Sequence, residues 1–509
     1  MLKKMFAAMM CSVVAFGAFS QTPAKVTTKE AFDYQRSSLT VIPLIGHGAD
    51  RDAINWADTT NFDGKFDMNT IKIRPVSGPN EVSAIKTQLQ EQQVAKLILN
   101  YWLQYDGKKF GSEIIEKRAR YNATDADYLK DQASKVQTLS YSGRNLMKNT
   151  FIMVAGPTSV EKKTDKKGKI FYNVKSSAHV YQVVLNDSIL EEIWSNWLDD
   201  ESTPEMIQKY ELLALEIDPV ASVASSETDS DLSKAVASSC NELLEKLENK
   251  IDKWQVVTSV YRRHPLGAKI GKKEGLKNSD RYAAYKIIED ENGELTYKRI
   301  AYVRATDISD NARDAEGNTD LSTFYQISGR GIKEGMYLKQ KKDAKFSVSV
   351  SGNFGGYSPL SVEFDRLLST KHTLGLMQYA GISIGGDFGK TFGENAFYVP
   401  IAINYGFGIH PVRVLELLPS VGIGADYYGR PDDLSTGSSD GDSESKFFKQ
   451  IAYFARGGMK IGLQVCYPVQ IFIRADYAYK ISEGEYYISC DSHKRFGKVT
   501  FGAGIKINF

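Results

Sequence analysis

The last third of the chain alternates between apolar and polar residues with a period of two. In the final nine residues, FGAGIKINF, the alternation puts Phe501, Ile505, Ile507 and Phe509 on one side and Lys506 on the other. A period of two predicts a β-strand with one apolar and one polar face. Eight such segments are present, at residues 344–354, 359–368, 372–388, 396–409, 413–428, 447–466, 469–480 and 496–509.

The lengths and connections of these segments favour a membrane-spanning barrel. Strands of about ten residues cross a bilayer when they are tilted. Short connections at 369–371, 410–411 and 467–468 alternate with longer polar ones at 389–395, 429–446 and 481–495, although the connection at 355–358 is also short. Such alternation of turn length is typical of membrane barrels. An even number of strands places the N-terminal and C-terminal ends of the barrel segment on the same side of the membrane.

The terminal strand carries a resemblance to a known class of proteins. Its outward series, Phe501, Ile505, Ile507 and Phe509, resembles the closing strand of bacterial outer-membrane β-barrels, whose terminal aromatic residue is read by the barrel insertion machinery. The resemblance implies an eight-stranded antiparallel transmembrane β-barrel over residues 343–509, in contact with outer-membrane lipid. It also implies location in the cell outer membrane, with the N-terminal part of the chain in the periplasm.

The polar sides of the segments predict a charged lumen. An eight-stranded barrel is filled by its own side chains, so inward charges need partners. Charges of both signs occur there, which predicts a paired polar network and argues against an open pore. The predicted network consists of Glu363, Asp365, Arg456, Lys460, Arg474, Asp476 and Lys506. Aromatic residues near segment ends, among them Phe354, Phe397, Tyr427 and Tyr428, fit an interfacial girdle or pack in loops.

The first twenty residues have the features of a secretory signal peptide. Lys3 and Lys4 precede an apolar run over 6–19, and Ala18 and Ser20 are small residues at the cleavage positions. Cys11 lies too early for a lipoprotein cysteine, so we expect no lipid anchor. No other apolar run reaches the length of a membrane helix.

Composition and motifs argue against several functional classes. The formal net charge of +2 argues against a nucleic-acid partner. The three cysteines after residue 20 make no disulfide framework, and the six histidines lack metal-ligand spacing. The sequence contains no nucleophile elbow, P-loop or HExxH motif. We therefore expect a non-enzymatic protein without a metal or cofactor.

Residues 21–255 predict an α/β domain. Strands are predicted at 38–45, 149–155, 171–184 and 189–197, and helices at 81–105, 123–136 and 230–254. The segments SLTVIPL, NTFIMVAG and AHVYQVVLNDSILEEIWSNW resemble the periplasmic domain shared by curli-secretion and penicillin-binding-protein activator lipoproteins. That resemblance covers residues 38–255 and implies a periplasmic α/β fold.

Residues 256–342 predict a separate small all-β module. Its segments HPLGAKIGKKEGLKNSDRYAAYKI, KRIAYVRATDIS and ISGRGIKEGMYLK resemble the C-terminal domain of flagellar assembly protein T and related periplasmic modules. Tyr282, Tyr285, Ile287, Tyr302 and Val303 are predicted core residues of this module.

Three functions fit this multidomain organisation. The favoured one is an outer-membrane protein whose barrel anchors periplasmic modules that bind an unknown periplasmic protein or envelope component, in an assembly or scaffold role. An outer-membrane channel or transport accessory is the alternative. A barrel-tethered hydrolase is a third reading, disfavoured because no catalytic motif is visible, although triads can be assembled from distant residues.

Overall fold

The computed structural model describes most of the chain. The described residues are 36–46, 65–78, 80–122, 140–166, 168–193, 203–289, 295–311, 320–329, 331–356, 358–388, 397–412, 414–429, 450–484 and 496–509. The predicted signal peptide at 1–20, the predicted helix at 123–136 and nearly all of the acidic loop at 429–446 lie outside these residues. The described fold is mostly β-structure, in a six-stranded sheet and two closed barrels.

The N-terminal part of the chain forms the six-stranded sheet. Its strands are β1 (Ser37–Ile45), β2 (Phe66–Met68), β3 (Val76–Ser77), β4 (Thr150–Thr164), β5 (Ile170–Val183) and β6 (Ile217–Asp229). The main order is β2-β1-β4-β5-β6, with β3 also paired to β1. Strands β2, β3 and β4 run parallel to β1, whereas β5 pairs antiparallel with both β4 and β6.

Helices pack on both faces of this sheet. They are α1 (Val82–Glu91), α2 (Val94–Trp102), α3 (Glu113–Asn122), α4 (Ser140–Lys148), α5 (Asp187–Glu192), α6 (Pro204–Glu211) and α7 (Leu232–Lys250). Ile152 and Val154 of β4 face one core, with α1 to α6, while Phe151 and Met153 face a second core under α7. Alternate residues of one strand therefore serve two helical layers, as the period of two requires.

Two local predictions in this region are wrong. The predicted single helix at 81–105 is interrupted by Gln93, whose φ of 50° lies in the left-handed region and separates α1 from α2. The predicted strand at 189–197 begins inside α5. Asn186 caps that helix by accepting a hydrogen bond from the Ile189 amide at 2.8 Å, which favours a helix start there.

The middle part of the chain closes into a six-stranded barrel. Its strands are β7 (Val257–Arg262), β8 (Leu266–Ala268), β9 (Arg281–Glu289), β10 (Leu295–Ala305), β11 (Ser322–Gly329) and β12 (Tyr337–Gln340). The closed order is β10-β11-β8-β7-β12-β9. Tyr282, Val303 and Phe324 fill the interior, whereas Tyr285, Ile287 and Tyr302 form a separate cluster on the same unit.

The C-terminal part forms a closed eight-stranded antiparallel barrel, as the alternation predicted. Its strands are β13 (Phe346–Phe354), β14 (Leu360–Thr370), β15 (Met377–Phe388), β16 (Phe397–Val412), β17 (Leu415–Gly429), β18 (Ile451–Cys466), β19 (Val469–Glu483) and β20 (Val499–Asn508). Each strand pairs with its sequence neighbours, and β20 closes on β13. We call the end where β13 begins and β20 ends the proximal end, and the opposite end the distal end.

Candidate functional site: the barrel lumen and its proximal mouth

The outer surface of the eight-stranded barrel is a continuous apolar band. Ile403, Ile423 and Ile473 are 59–66 % exposed although they lie in the middle of long strands. Their strand neighbours Asn404 and Arg474 point inward and are buried. Exposed apolar patches of this extent are rare on soluble monomers and are typical of a surface that meets lipid or another protein.

All seven residues of the predicted lumen network have buried side chains inside the barrel. Glu363 of β14 is the centre of the main cluster. Its carboxylate oxygen Oε1 lies 2.8 Å from Arg456 Nη2 and 2.9 Å from Arg474 Nη1, and Oε2 pairs with Lys460 Nζ. Arg474 Nε also pairs with Asp476, and Lys460 Nζ lies 3.8 Å from Asp365.

A second charged cluster lies in the same lumen, around Glu416 of β17. Its Oε2 is 3.2 Å from Lys506 Nζ and 2.8 Å from Gln470 Nε2, and its Oε1 accepts a hydrogen bond from Tyr379 Oη at 3.1 Å. Lys506 is therefore paired with Glu416 and not with the Glu363 cluster. Glu416 was not among the predicted lumen residues, although its even spacing from Asp426, which is also buried on the same strand, was a usable signal.

Aromatic side chains close the distal end of the lumen. Tyr398, Tyr428, Phe454 and Phe496 pack together with small alanines in one buried cluster. The rings of Tyr398 and Tyr428 lie 5.2 Å apart, and those of Phe454 and Phe496 lie 5.6 Å apart. Tyr428 is 3 % exposed, so its assignment to the interfacial girdle is wrong. Its position, two residues after the inward Asp426, turns its ring into the lumen.

The six-stranded barrel sits on the proximal mouth of the eight-stranded barrel. Ile327 of β11 packs against a cluster at the mouth that consists of Leu367, Met377, Tyr379 and Leu418. Two positions away on the same strand, Tyr325 Oη donates to the His410 carbonyl oxygen at 2.8 Å. Gly375 of the β14–β15 turn lies so close to the Tyr325 ring that a Cβ there would come within 2.2 Å of it. Only glycine fits this approach.

Buried polar groups fasten the same interface. Asp343, in the segment that joins the barrels, is 1 % exposed at its side chain and pairs with Arg304 of β10 at 2.5 Å. Burial alone would lower the pKa of Arg304, but the Asp343 carboxylate raises it above its ordinary value. Tyr467, in the β18–β19 turn, donates to Asp343 Oδ2 at 3.3 Å and pairs with Arg281. Asn278 donates to the Thr370 carbonyl at 2.8 Å.

The joining segment also contacts the N-terminal unit. Lys342 pairs with Glu248 of α7, whose carboxylate lies 2.7 Å from Lys65 Nζ as well. Glu248 is 2 % exposed and Lys65 is 3 % exposed, whereas the Lys342 side chain is 26 % exposed, so Lys342 reaches a buried carboxylate from the surface. Neighbouring residues 342 and 343 therefore bind different units, and the segment is held along its length.

The terminal strand β20 lies at the seam that closes the barrel and exposes its apolar residues on the outer face. Phe501 and Phe509 are about half exposed on the outer face, and Ile505 and Ile507 lie on the same face. The Phe509 amide donates to the Phe346 carbonyl at 2.8 Å, across the seam that closes the barrel.

We expect deletion of Phe509 to lower the amount of assembled barrel in outer-membrane fractions. The deletion removes the exposed terminal aromatic and one hydrogen bond of the closing seam. Heat-modifiable migration on gels measures assembly, and deletion of the single N-terminal residue of the mature chain is the control. Unchanged levels of heat-modifiable protein would show that Phe509 is dispensable for insertion.

Comparisons with known proteins identify no family for this chain. No protein-family profile matches it, and no curated protein sequence matches it. Among solved structures, the chain is similar to the outer membrane enzyme PagL, at 13 % identity and a TM-score of 0.19, over 32 % of this chain and 99 % of that one. It is also similar to OmpTdeltaL8, a loop deletion mutant of an outer membrane protein of Vibrio cholerae, at 9 % identity and a TM-score of 0.15, over 71 % and 99 %.

TM-scores below 0.2 support no inference about fold or function, so the barrel assignment rests on the pairing of the strands themselves. The resemblances of 38–255 to the lipoprotein domains and of 256–342 to flagellar assembly protein T stay predictions. Within the described parts of the chain, no helix is both long and apolar enough to cross a bilayer.

Proposed function

We propose that this chain is a non-enzymatic outer-membrane protein whose eight-stranded barrel anchors the two N-terminal units in the periplasm. The apolar outer band supports lipid contact. The chain enters the barrel at the start of β13 and leaves it at the end of β20, and both points lie at the proximal end, where the six-stranded barrel sits. The anchored units would bind another periplasmic protein or an envelope component, in an assembly or scaffold role.

One observation carries this proposal: the six-stranded barrel is fixed on the proximal mouth by an apolar contact and a buried ion pair. Ile327 closes the mouth, while Asp343 and Arg304 hold the two units together. A flexible tether would leave this mouth open and these charges in solvent. The contact instead holds the N-terminal units in a defined position at the membrane surface, which suits a protein that presents a binding platform.

The filled lumen argues against the alternative function as a channel. Four carboxylates, Glu363, Asp365, Glu416 and Asp476, face four cations, Arg456, Lys460, Arg474 and Lys506. Paired charges occupy the cross-section of the lumen, aromatic rings close its distal end, and β11 covers its proximal end. Water-filled pores require larger barrels than eight strands supply.

We expect the full-length protein to show no stepwise conductance in planar bilayers. Protein that has inserted, shown by heat-modifiable migration, should give current traces like those of protein-free bilayers, and a known porin under the same conditions is the positive control. Steady ohmic steps from inserted protein would favour the channel alternative.

Cross-linking in intact cells tests the binding role. Lysine-reactive cross-linking of the tagged full-length chain should join envelope proteins to exposed lysines of residues 36–340. Cross-links that fall only on the loops of the distal end would contradict a periplasmic binding platform.

A further inference from the structure

A cluster of tyrosines and cations lies on the six-stranded barrel directly beside the rim of the eight-stranded barrel. We call Arg281, Arg299, Tyr302, Lys341 and Tyr467 the rim patch. The rings of Tyr302 and Tyr467 lie 4.4 Å apart, which joins the two units. Arg281 lies over both rings, 5.5 Å from the centroid of Tyr302 and 4.7 Å from that of Tyr467. Arg299 lies 5.1 Å from the Tyr302 centroid and donates to its Oη at 2.6 Å.

The apolar outer band of the eight-stranded barrel indicates where the rim patch lies along the membrane normal. Val465 is 62 % exposed on the outer face and belongs to the proximal edge of the apolar band. Tyr467 follows two residues later, in the turn. The headgroup region of a bilayer is about 5–8 Å thick on each side of the hydrocarbon core. Rings and cations within one ring's width of Tyr467 therefore lie at the level of the lipid headgroups.

The charge around the patch is strongly positive. Two carboxylates lie nearby: Asp343 is shared between Arg304 at 2.5 Å and Arg281 at 3.7 Å, and Asp252 is paired with Lys339 at 3.1 Å, so neither pairs with Arg299 or Lys341. Arg299 is exposed, and Lys341 is partly buried, with Nζ bonded to the neutral Gln255 side chain. Burial lowers the pKa of Lys341, and repulsion from Lys339, Arg281 and Arg299 lowers it further against the attraction of Asp252. An anion beside Lys341 would relieve this repulsion.

We propose that the rim patch binds the headgroup of an anionic phospholipid in the leaflet that faces the six-stranded barrel. Arg299 and Lys341 would contact the phosphate, while Tyr302 and Tyr467 lie at the level where amphipathic aromatic rings are favoured. The proposal rests on the proposed membrane placement of the barrel. It goes beyond that placement because it predicts that anionic lipids bind in preference to zwitterionic ones. A lipid bound at the rim patch would hold the six-stranded barrel against the membrane.

Calorimetric titration of the full-length protein in detergent micelles tests the preference, with dihexanoyl phosphatidylglycerol, dihexanoyl phosphatidylethanolamine and inorganic phosphate as probes. We expect the anionic lipid to bind at least tenfold more tightly than the zwitterionic one. Each cation near a lipid surface contributes about fivefold in affinity, so Arg299→Gln with Lys341→Gln should weaken phosphatidylglycerol binding about 25-fold. Lys162→Gln with Lys166→Gln removes two exposed lysines from the β4–β5 hairpin and should change nothing.

Three outcomes would overturn the inference. The two lipids could bind equally, inorganic phosphate could displace the anionic lipid at equal concentration, or the hairpin control could weaken binding as much as the rim variant. Arg299→Lys with Lys341→Arg keeps both charges and should keep the preference, which separates lost charge from lost structure. Heat-modifiable insertion of the wild-type protein into phosphatidylethanolamine–phosphatidylglycerol vesicles tests the barrel placement separately, so its failure and the failure of the lipid preference are distinguishable.

Discussion

Replacing Glu363 with leucine should cost the eight-stranded barrel about 3–5 kcal/mol of folding free energy, a large part of the stability of a typical domain. The change leaves Arg456, Lys460 and Arg474 buried in the lumen without their shared carboxylate. Like charges then face one another in a region from which bulk water is excluded. Urea unfolding of the full-length protein in liposomes, followed by heat-modifiable migration, measures the loss.

Glu483→Gln is the matched control for this change. Glu483 ends β19 at the distal end and pairs with Lys480 at 2.6 Å, with both side chains partly exposed. Such pairs contribute only about 0.2–1 kcal/mol, because solvent screens them. If Glu363→Leu were as mild as Glu483→Gln, the lumen charges would be solvated and the description of the lumen as filled would be wrong.

The strands of this barrel could be predicted from sequence because lipid and lumen impose opposite polarities on neighbouring residues. Ile473 and Arg474 show the rule, since one is exposed on the apolar band and the other buried among charges. The same parity places Tyr428 inside the barrel. An aromatic residue near a strand end fits either a girdle or a lumen closure, and only its spacing from Asp426 decides between them.

The pairing of the lumen charges could not be predicted in the same way. Sequence spacing puts Arg474 and Asp476 on one face of β19, but Glu363 reaches Arg474 from β14, across the lumen. That contact depends on the stagger of strands around the closed barrel, which no single segment encodes. The pairing of Glu416 with Lys506 could not be predicted for the same reason, because β17 and β20 are not neighbours in the barrel.

The contact between the two barrels left no visible pattern in the sequence. Residues 341–345, KKDAK, join β12 to β13 and are mostly charged, which is the composition expected for a solvated linker. In the structure Lys342 binds the buried Glu248 of the N-terminal unit and Asp343 binds Arg304 of the six-stranded barrel, so adjacent charges pair with different units. A short connection rich in charged residues is compatible with a solvated linker and with a segment that forms ion pairs with neighbouring units. Which of the two applies depends on the ion-pair partners Arg304 and Glu248, which lie about 40 and 90 residues away along the chain.

Asp343→Asn should release the six-stranded barrel from the proximal mouth in part of the population. Asp343 is the carboxylate that pairs with Arg304 and also accepts from Tyr467. Removing one partner of a desolvated charge pair costs about 3–5 kcal/mol, because the other charge stays buried without compensation. The remaining contacts between the two barrels are the packing of Ile327, the hydrogen bonds of Tyr325 and Asn278, and the contacts of Tyr467 with Arg281 and Tyr302. They would then be opposed by the entropy of a free connection. We therefore expect the docked and released arrangements to be populated together.

Pulsed dipolar spectroscopy between spin labels at Lys298 on β10 and Val414 in the β16–β17 turn measures this release, in a background where Cys466 and Cys490 are replaced. The unchanged protein should give one narrow distance distribution, and Asp343→Asn a broad one. Asp310→Asn is the control, because Asp310 is 45 % exposed and its partner Lys272 is 57 % exposed, so solvent screens this pair and the narrow distribution should persist. A narrow distribution in Asp343→Asn would mean that the remaining contacts fix the six-stranded barrel on the mouth. The buried ion pair would then not be required for docking.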